Sequence, residues 1–244
     1  MNDIDTLVKM IKESNNIVVF TGAGVSTDSG LKDFRSKDGL YNEKNIYPAE
    51  YLLSSSCFYE QPNVFYEYYK SHFNCLKYEP NATHIFLKEL EDIGKLKAVV
   101  TQNIDGLHTK AGSKTVYEVH GTVYDNYCLE CGKHYKPDYI FKSNDLPLCI
   151  CGGLIKPKVV LYEEALPEEA VNGSIEAISK ADMLMVLGSS LTVYPAAGFI
   201  NYFRGKYLVI INNDKTNYDN QASLVIHDNI AKISKELSKR IKDA

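Results

Sequence analysis

The sequence has few cysteines, no long apolar run and no excess of positive charge. Six cysteines among 244 residues are too few for a disulfide scaffold, and four of them fall between positions 128 and 151. The longest apolar runs hold about five residues, whereas a membrane-spanning helix needs roughly 20. With 27 basic and 31 acidic residues the formal net charge is −4, which argues against a basic nucleic-acid clamp. We therefore expect no membrane segment and no direct nucleic-acid binding.

Short apolar segments alternate along the chain with amphipathic ones. Continuously apolar runs predict buried strands at 17–21, 96–100, 183–187 and 207–211. Helical periodicity predicts helices over 3–14, 82–90, 167–180, 196–203 and 231–241. This alternation is typical of an α/β fold with a doubly wound, mostly parallel, Rossmann-like sheet.

Two stretches interrupt the alternation. The segment 36–76 is irregular and rich in aromatic residues, and the segment 125–154 contains the four clustered cysteines. We expect them to be a helical insertion and a metal-binding module that together form a smaller domain. Residues 1–35, 77–124 and 155–244 would then form the larger domain. Insertions at the carboxyl ends of strands lie where open α/β sheets bind ligands.

A glycine-rich turn follows the first predicted strand. Gly22, Ala23 and Gly24 stand between that strand and a predicted helix start, an arrangement that suits a phosphate group because glycine lets the backbone approach closely. The dinucleotide fingerprint would place a third glycine at position 27, where Thr27 stands. On this motif alone, a tight turn without a ligand is an equally good interpretation.

The cysteine spacing indicates a metal site. Cys128 and Cys131 are separated by two residues, and Cys149 and Cys151 by one. Four thiolates favour tetrahedral zinc and leave no position open for catalysis, so the zinc would be structural. The second pair is shorter than usual, and His134 is an alternative ligand. Redox-active thiols are the competing interpretation.

Several longer motifs occur in one order along the chain. They read GAGVSTDSGLKDFRS at 22–36, TQNIDGLH at 101–108, EVHGT at 118–122, KPKVVLYEE at 156–164 and VLGSSLTVYPAAGF at 186–199. Together with the paired cysteines they resemble the sirtuins, the NAD-dependent protein-lysine deacylases, from about position 18 to about 228. The resemblance implies removal of acetyl groups from lysine side chains, giving nicotinamide, O-acetyl-ADP-ribose and free lysine.

The resemblance also implies a set of NAD-binding residues, which makes the larger domain the NAD-binding one. The glycine turn would hold the pyrophosphate, and the residues after the second strand would surround the nicotinamide ribose. The implied contacts are Gly22, Ala23, Gly24, Phe34, Arg35, Gln102, Asn103, Ile104, Asp105, Gly188, Ser189, Asn212 and Asp228.

Three residues are implied to be catalytic. Asn103 and Asp105 would position water and the nicotinamide carboxamide, and His120 would deprotonate a ribose hydroxyl. A histidine suits that step because its pKa is near neutrality. Taken alone, His120 would be a structural histidine and Asp105 a solvated loop carboxylate. Their positions within EVHGT and TQNID favour the catalytic interpretation.

The run from 158 to 164 is implied to bind the substrate. In sirtuins the matching strand is an edge to which the acyl-lysine peptide adds as another strand, so Val160 and Tyr162 would lie near the acyl-lysine. The family's usual Phe-Gly-Glu is here Tyr162, Glu163 and Glu164. The added carboxylate predicts a bias toward basic peptides. A plain edge strand with protective charges is the alternative.

The resemblance further implies which acyl group is removed. Sirtuins that prefer acidic acyl chains carry a Tyr-x-x-Arg pair on a helix of the smaller domain. Here Tyr66 holds the tyrosine position, but Tyr69 stands where the arginine would be, and Lys70 would point elsewhere. We therefore expect acetyl-lysine to be preferred over succinyl-lysine.

Two other functions compete with deacylation. An ADP-ribosyltransferase would use the same NAD site, and a non-catalytic NAD sensor or zinc-mediated binding module would need no catalytic residues. The presence of His120, Asn103 and Asp105 favours the deacylase. Residue usage and short termini indicate a bacterial cytoplasmic enzyme.

Overall fold

The computed structural model describes residues 2–242 and contains nine strands within them. The strands are β1 (Ile17–Thr21), β2 (Leu96–Thr101), β3 (Val116–Glu118), β4 (Gly121–Cys128), β5 (His134–Tyr135), β6 (Ile155–Val159), β7 (Met183–Leu187), β8 (Tyr207–Ile211) and β9 (Leu224–Ile226).

The α-helices of the described residues include all but one of the helices predicted from periodicity. They are α1 (Asp3–Glu13), α2 (Ala49–Leu52), α3 (Ser55–Glu60), α4 (Pro62–Phe73), α5 (Ala82–Asp92), α6 (Leu107–Lys110), α7 (Pro137–Phe141), α8 (Glu168–Lys180) and α9 (Ile230–Lys242). The exception is the segment predicted at 196–203, which forms a 3₁₀-helix over Ala196–Tyr202. Gly198 lies within it and disfavours an α-helix.

Six strands form one parallel sheet in the order β3-β2-β1-β7-β8-β9. Successive residues of β1 point to opposite faces of it. Val19 joins an apolar cluster with residues of α1, α5 and α9, whereas Val18 joins a second cluster with α8 and the 3₁₀-helix Ala196–Tyr202. Helices therefore cover both faces, and the predicted doubly wound α/β fold is confirmed. The strand order reverses between β1 and β7, the point where such sheets bind ligands.

A second sheet is antiparallel and has the order β5-β4-β6. It extends a few residues beyond both ends of the predicted 125–154 module, because β4 begins at Gly121 and β6 ends at Val159. Phe58 and Tyr66 from the helical insertion share an apolar core with Cys128 and Ile155 from this sheet. The two insertions therefore bury their apolar side chains against each other.

None of the helices between residues 2 and 242 is both long and apolar enough to cross a membrane.

Candidate active site

A cavity of about 480 Å³ opens at the carboxyl ends of β1, β2 and β7. Every predicted catalytic, NAD-binding and peptide-binding residue except Asp228 lines it. These residues are Gly22, Ala23, Gly24, Phe34, Arg35, Gln102, Asn103, Ile104, Asp105, His120, Val160, Tyr162, Gly188, Ser189 and Asn212. The topological argument from strand ends thus brings distant segments of the chain to one place.

The turn after β1 packs directly against the turn after β7. A Cβ atom on Gly22 would lie 2.7 Å from the carbonyl oxygen of Gly188, and one on Gly24 would lie 2.8 Å from its Cα. The amide of Gly24 also donates to the Gly188 carbonyl at 2.9 Å. Glycine is therefore required here for contact between two backbones, and this contact shapes the floor of the cavity.

The predicted helix start after this turn is wrong. The structure has two 3₁₀-helices of three residues each, Ala23–Val25 and Thr27–Ser29, which end at Gly30 with φ of 98°. Serine, threonine and aspartate follow the turn, and such residues favour turns over helix interiors because their side chains bond the nearby backbone. The Thr27 hydroxyl, for example, donates to the Gly24 carbonyl at 3.0 Å. The described residues after the β1 turn therefore form no α-helix whose dipole could point at the cavity.

Asn103 and Asp105 follow β2 and are linked through a residue that the sequence analysis missed. The buried Ser26 hydroxyl accepts from Asn103 Nδ2 at 3.1 Å and donates to Asp105 Oδ2 at 2.6 Å. Asn103 Nδ2 also donates to the Gly22 carbonyl at 3.1 Å. The backbone amide of Leu107 donates to the other oxygen of Asp105 at 2.9 Å. Ser26 therefore orients both side chains.

Burial raises the pKa of Asp105, while the hydrogen bonds from Ser26 and from the Leu107 amide oppose that rise. The Ser26 hydroxyl therefore favours the ionised carboxylate. A buried carboxylate such as that of Asp105 can accept a hydrogen bond from a ligand amide more strongly than one in water.

His120 lies between β3 and β4, with its ring at the cavity. Its Nδ1 lies 2.9 Å from the carbonyl oxygen of Gln102, and because a carbonyl only accepts, Nδ1 carries the proton. The unprotonated Nε2 is then free to act as a base. Burial lowers the pKa of His120, and this favours the neutral ring. The Gln102 side chain donates to Ser189 Oγ at 2.8 Å, joining the ends of β2 and β7.

Asn212 and Asp228, the predicted contacts on the adenosine side, lie in different surroundings. Asn212 follows β8, lines the cavity and donates to the carbonyl of Asp214 at 2.8 Å. Asp228 is half-buried, lies outside the residues that line the cavity and pairs with Lys232 at 2.8 Å. The adenosine contact of Asp228 therefore stays a prediction.

The run predicted as an edge strand at 158–164 is only partly a strand. β6 ends at Val159, and beyond it the Val160 amide donates to the His120 carbonyl at 2.8 Å. Tyr162 pairs with the turn between α2 and α3 through bonds of 3.0 Å, donating to Leu53 and accepting from Ser55. Val160 and Tyr162 still line the cavity, since these bonds hold the segment along its rim.

Glu163 adopts a backbone conformation that favours glycine, with φ of 76°. Its carboxylate accepts from both the amide and the hydroxyl of Ser56 at 2.8 Å, at the start of α3. The negative charge is thus already bonded to a helix start, which weakens the predicted bias toward basic peptides.

The four clustered cysteines form a site suited to zinc. Their sulfur atoms all lie within 4.8 Å of one another, and the Cys128–Cys151 and Cys131–Cys149 pairs are each 3.5 Å apart. Tetrahedral zinc with bonds of about 2.3 Å requires sulfur atoms about 3.8 Å apart, so this donor set fits. Tyr135 donates its hydroxyl to Cys149 Sγ at 2.9 Å.

His134, the alternative ligand, is exposed and pairs instead with Asp125 at 2.6 Å. Its ring is therefore committed to a partner outside the cysteine group.

The helix α4 carries the residues expected to select the acyl group. Tyr66 donates its hydroxyl to the carbonyl of Ile155 within the small-domain core. Tyr69 lines the cavity, and its ring is stacked with Phe65 and Phe73 at 5.5 and 5.6 Å between centroids. Lys70 is directed away and donates to the carbonyls of residues 143 and 145 at 2.9 and 2.6 Å. No fixed cation thus stands at the Tyr69 position.

Fold and site together define a doubly wound α/β protein with a ligand cavity at the switch point of its sheet and a four-thiolate metal site in a smaller unit. A model of the Sir2 family matches residues 22–195. An NAD-dependent protein deacetylase of Clostridium perfringens is 54% identical over 94% of this chain and 96% of that protein. One from Clostridium acetobutylicum is 51% identical over 96% of this chain and 97% of its own.

Solved structures agree. A Sir2 protein with deacetylated p53 peptide and 3′-O-acetyl ADP ribose superposes with a TM-score of 0.92 at 37% identity, covering 98% of each chain. A Sir2 complex with p53 peptide and NAD⁺ gives a TM-score of 0.89 at 38% identity, covering all of both chains. The chain belongs to the Sir2 family, as the sequence motifs predicted.

Proposed function

We propose that this chain is an NAD-dependent protein-lysine deacetylase that releases nicotinamide, O-acetyl-ADP-ribose and free lysine. The observation that carries the proposal is the joint placement of His120, Asn103 and Asp105 in one cavity with the turns after β1 and β7. Relatives of high sequence identity are named NAD-dependent protein deacetylases, and a Sir2 structure that shares this fold was solved with p53 peptide and NAD⁺.

NAD supplies a ribose carbon whose nicotinamide substituent can leave when the acetyl oxygen of acetyl-lysine attacks it. The cavity floor made by Gly22, Gly24 and Gly188 is the place for the pyrophosphate, because backbone approaches backbone there without side chains. Phe34 and Arg35, which also line the cavity, would cover the pyrophosphate. Asn103 and Asp105, oriented by hydrogen bonds, hold the carboxamide end.

His120 is the general base of the proposed reaction. Its Nδ1 proton is bound by the Gln102 carbonyl, so Nε2 presents a lone pair to the cavity. The lowered pKa keeps that nitrogen unprotonated at neutral pH. It would take a proton from a ribose hydroxyl.

Acetyl-lysine peptides enter along Val160 and Tyr162. The rim segment already pairs with Leu53 and Ser55 on one side, which supports an extended peptide added on the other. The proposed zinc is structural, since four cysteines occupy all its positions. Four thiols that must stay reduced support a cytoplasmic location.

The test is NAD consumption with one peptide carrying acetyl-lysine or unmodified lysine, followed by mass analysis of the products. Nicotinamide release should require the acetyl group, and the acetyl group should appear on ADP-ribose. The His120→Ala variant should lose at least about 10²-fold in turnover while still binding ADP-ribose. An ADP-ribosyltransferase would instead label protein without an acetyl group, and a non-catalytic NAD sensor would release no nicotinamide.

A further inference from the structure

A hydrogen bond joins the two sides of the cavity at a position where this chain departs from the family motif. Tyr162 stands where the family has phenylalanine, and its hydroxyl bonds to the hydroxyl of Tyr41. Both residues line the cavity. We call this contact the hydroxyl link.

Tyr41 is fixed to the residues proposed to cover NAD. Its amide donates to the Phe34 carbonyl at 3.0 Å, and its ring lies 5.5 Å from that of Phe34. The guanidinium of Arg35 lies over the Tyr41 ring at 5.1 Å from its centroid. Gly39 permits this compact loop, because a Cβ there would lie 2.7 Å from the Arg35 nitrogen. A movement of Phe34 or Arg35 must therefore move Tyr41.

Tyr162 is fixed to the segment proposed to bind the peptide. Its backbone pairs with Leu53 and Ser55, and two residues earlier Val160 donates to the His120 carbonyl. A peptide that orders this rim therefore orders Tyr162. Through the hydroxyl link, Tyr162 then restrains Tyr41 and the loop over the cofactor.

We propose that the hydroxyl link between Tyr41 and Tyr162 couples NAD binding to peptide binding in this chain. The inference rests on the proposed function. When one ligand orders its own side of the cavity, the other side loses part of its freedom in advance, so the second ligand binds with a smaller entropic penalty. Such coupling is reciprocal, and each ligand tightens the other by the same factor. Tyr41 and Tyr162 act here as positioning residues.

The experiment measures the Kd of ADP-ribose, which cannot react, with and without a saturating acetyl-lysine peptide. The ratio of the two values is the coupling factor. Removal of one hydroxyl in Tyr162→Phe should reduce this factor roughly two- to tenfold, the range of one hydrogen bond. Tyr41→Phe should do the same, and the double variant should show the effect of one substitution only, because either change breaks the same bond.

Tyr51→Phe is the matched control. Tyr51 lies in the same unit and accepts from Gln61 Nε2 at 2.8 Å, so the variant removes a comparable hydroxyl away from the link. Its coupling factor should equal that of the unaltered protein. Unchanged coupling in Tyr162→Phe, or effects of the two substitutions that multiply, would overturn the inference and leave the proposed function intact. If the unaltered protein bound neither ADP-ribose nor the acetyl-lysine peptide, both the inference and the proposed function would be contradicted.

Discussion

The substitution Ser26→Ala tests the internal geometry of the proposed site. It removes the hydroxyl that donates to Asp105 Oδ2 at 2.6 Å and accepts from Asn103 Nδ2 at 3.1 Å. Hydrogen bonds to charged groups contribute about 1.5–3 kcal/mol, and about 1.4 kcal/mol is a factor of ten. Both side chains keep one other bond, to the Leu107 amide and the Gly22 carbonyl respectively. We therefore expect kcat/KM to fall roughly 10- to 100-fold.

The pH profile of the Ser26→Ala variant supplies a second readout. The Ser26 hydrogen bond lowers the pKa of Asp105 against the effect of burial, so its loss must raise that pKa. The carboxylate is proposed to act in its ionised form. As the pH is lowered, the Ser26→Ala variant should therefore lose activity at a higher pH than the unaltered enzyme does.

Ser29→Ala is the control for Ser26→Ala, since Ser29 lies in the same loop but bonds to Asn81 at 3.0 Å. Thermal unfolding of both variants checks that they fold. A folded Ser26→Ala enzyme with normal kcat/KM and an unshifted acid limb would refute the role assigned to Ser26.

Three further predictions concern the metal, the pH dependence of stability and the acyl group. Elemental analysis should give one zinc per chain, and Cys128→Ala should lower the Tm by more than about 5 °C without abolishing ADP-ribose binding; a stable, zinc-free variant would contradict this. Burial lowers the pKa of His84 from 6.5 to about 4 and that of His108 well below its usual value. As the pH falls, these histidines are therefore protonated in the unfolded chain before they are protonated in the folded one. The contribution of the neutral histidines to stability is full above the unfolded pKa and is lost as the pH falls toward 4. For His84 alone the free energy of unfolding should fall by on the order of 2 kcal/mol between pH 7 and pH 5. Urea unfolding at several pH values should show this decrease, and a stability that does not change with pH would contradict it. One peptide with each acyl group should give a kcat/KM at least about tenfold higher for acetyl-lysine than for succinyl-lysine, because Tyr69 offers a buried succinyl carboxylate no cation; equal rates would refute the pocket assignment.

The central strands could be predicted from sequence, because a short run that is apolar throughout is typical of a strand buried on both faces of a sheet. β1 has the predicted bounds, and so do β7 and β8. β3 and β9 gave no such signal, since each has three residues and lies at an edge of the sheet, where burial is incomplete. The first part of β6 was not predicted because Lys156 suggests an exposed segment, whereas in the structure its side chain is buried and paired with Glu164 at 3.1 Å.

The cavity residues could be predicted because the family motifs carry them, whereas Ser26 could not be assigned a role. A single serine within a glycine-rich turn belongs to no periodic pattern that could indicate a role. Its partners Asn103 and Asp105 are also distant from it in sequence. The end of the strand-like run at 160–164 was also beyond sequence reasoning. Its hydrogen bonds go to Leu53 and Ser55, and such long-range pairing outweighs local β-propensity.

The strand order has a consequence for how the protein is made on the ribosome. β1 cannot pair with its neighbour β7 until the chain has been synthesised beyond Met183, where β7 begins. By contrast, all buried residues of the small unit's core have been synthesised once the chain reaches Leu161. Domains generally fold as units, those nearer the N-terminus first. The cysteine cluster can therefore capture its metal while the larger sheet still lacks half of its strands. The cavity needs the turn after β7 and Asn212 after β8, so it is assembled later than the core of the small unit.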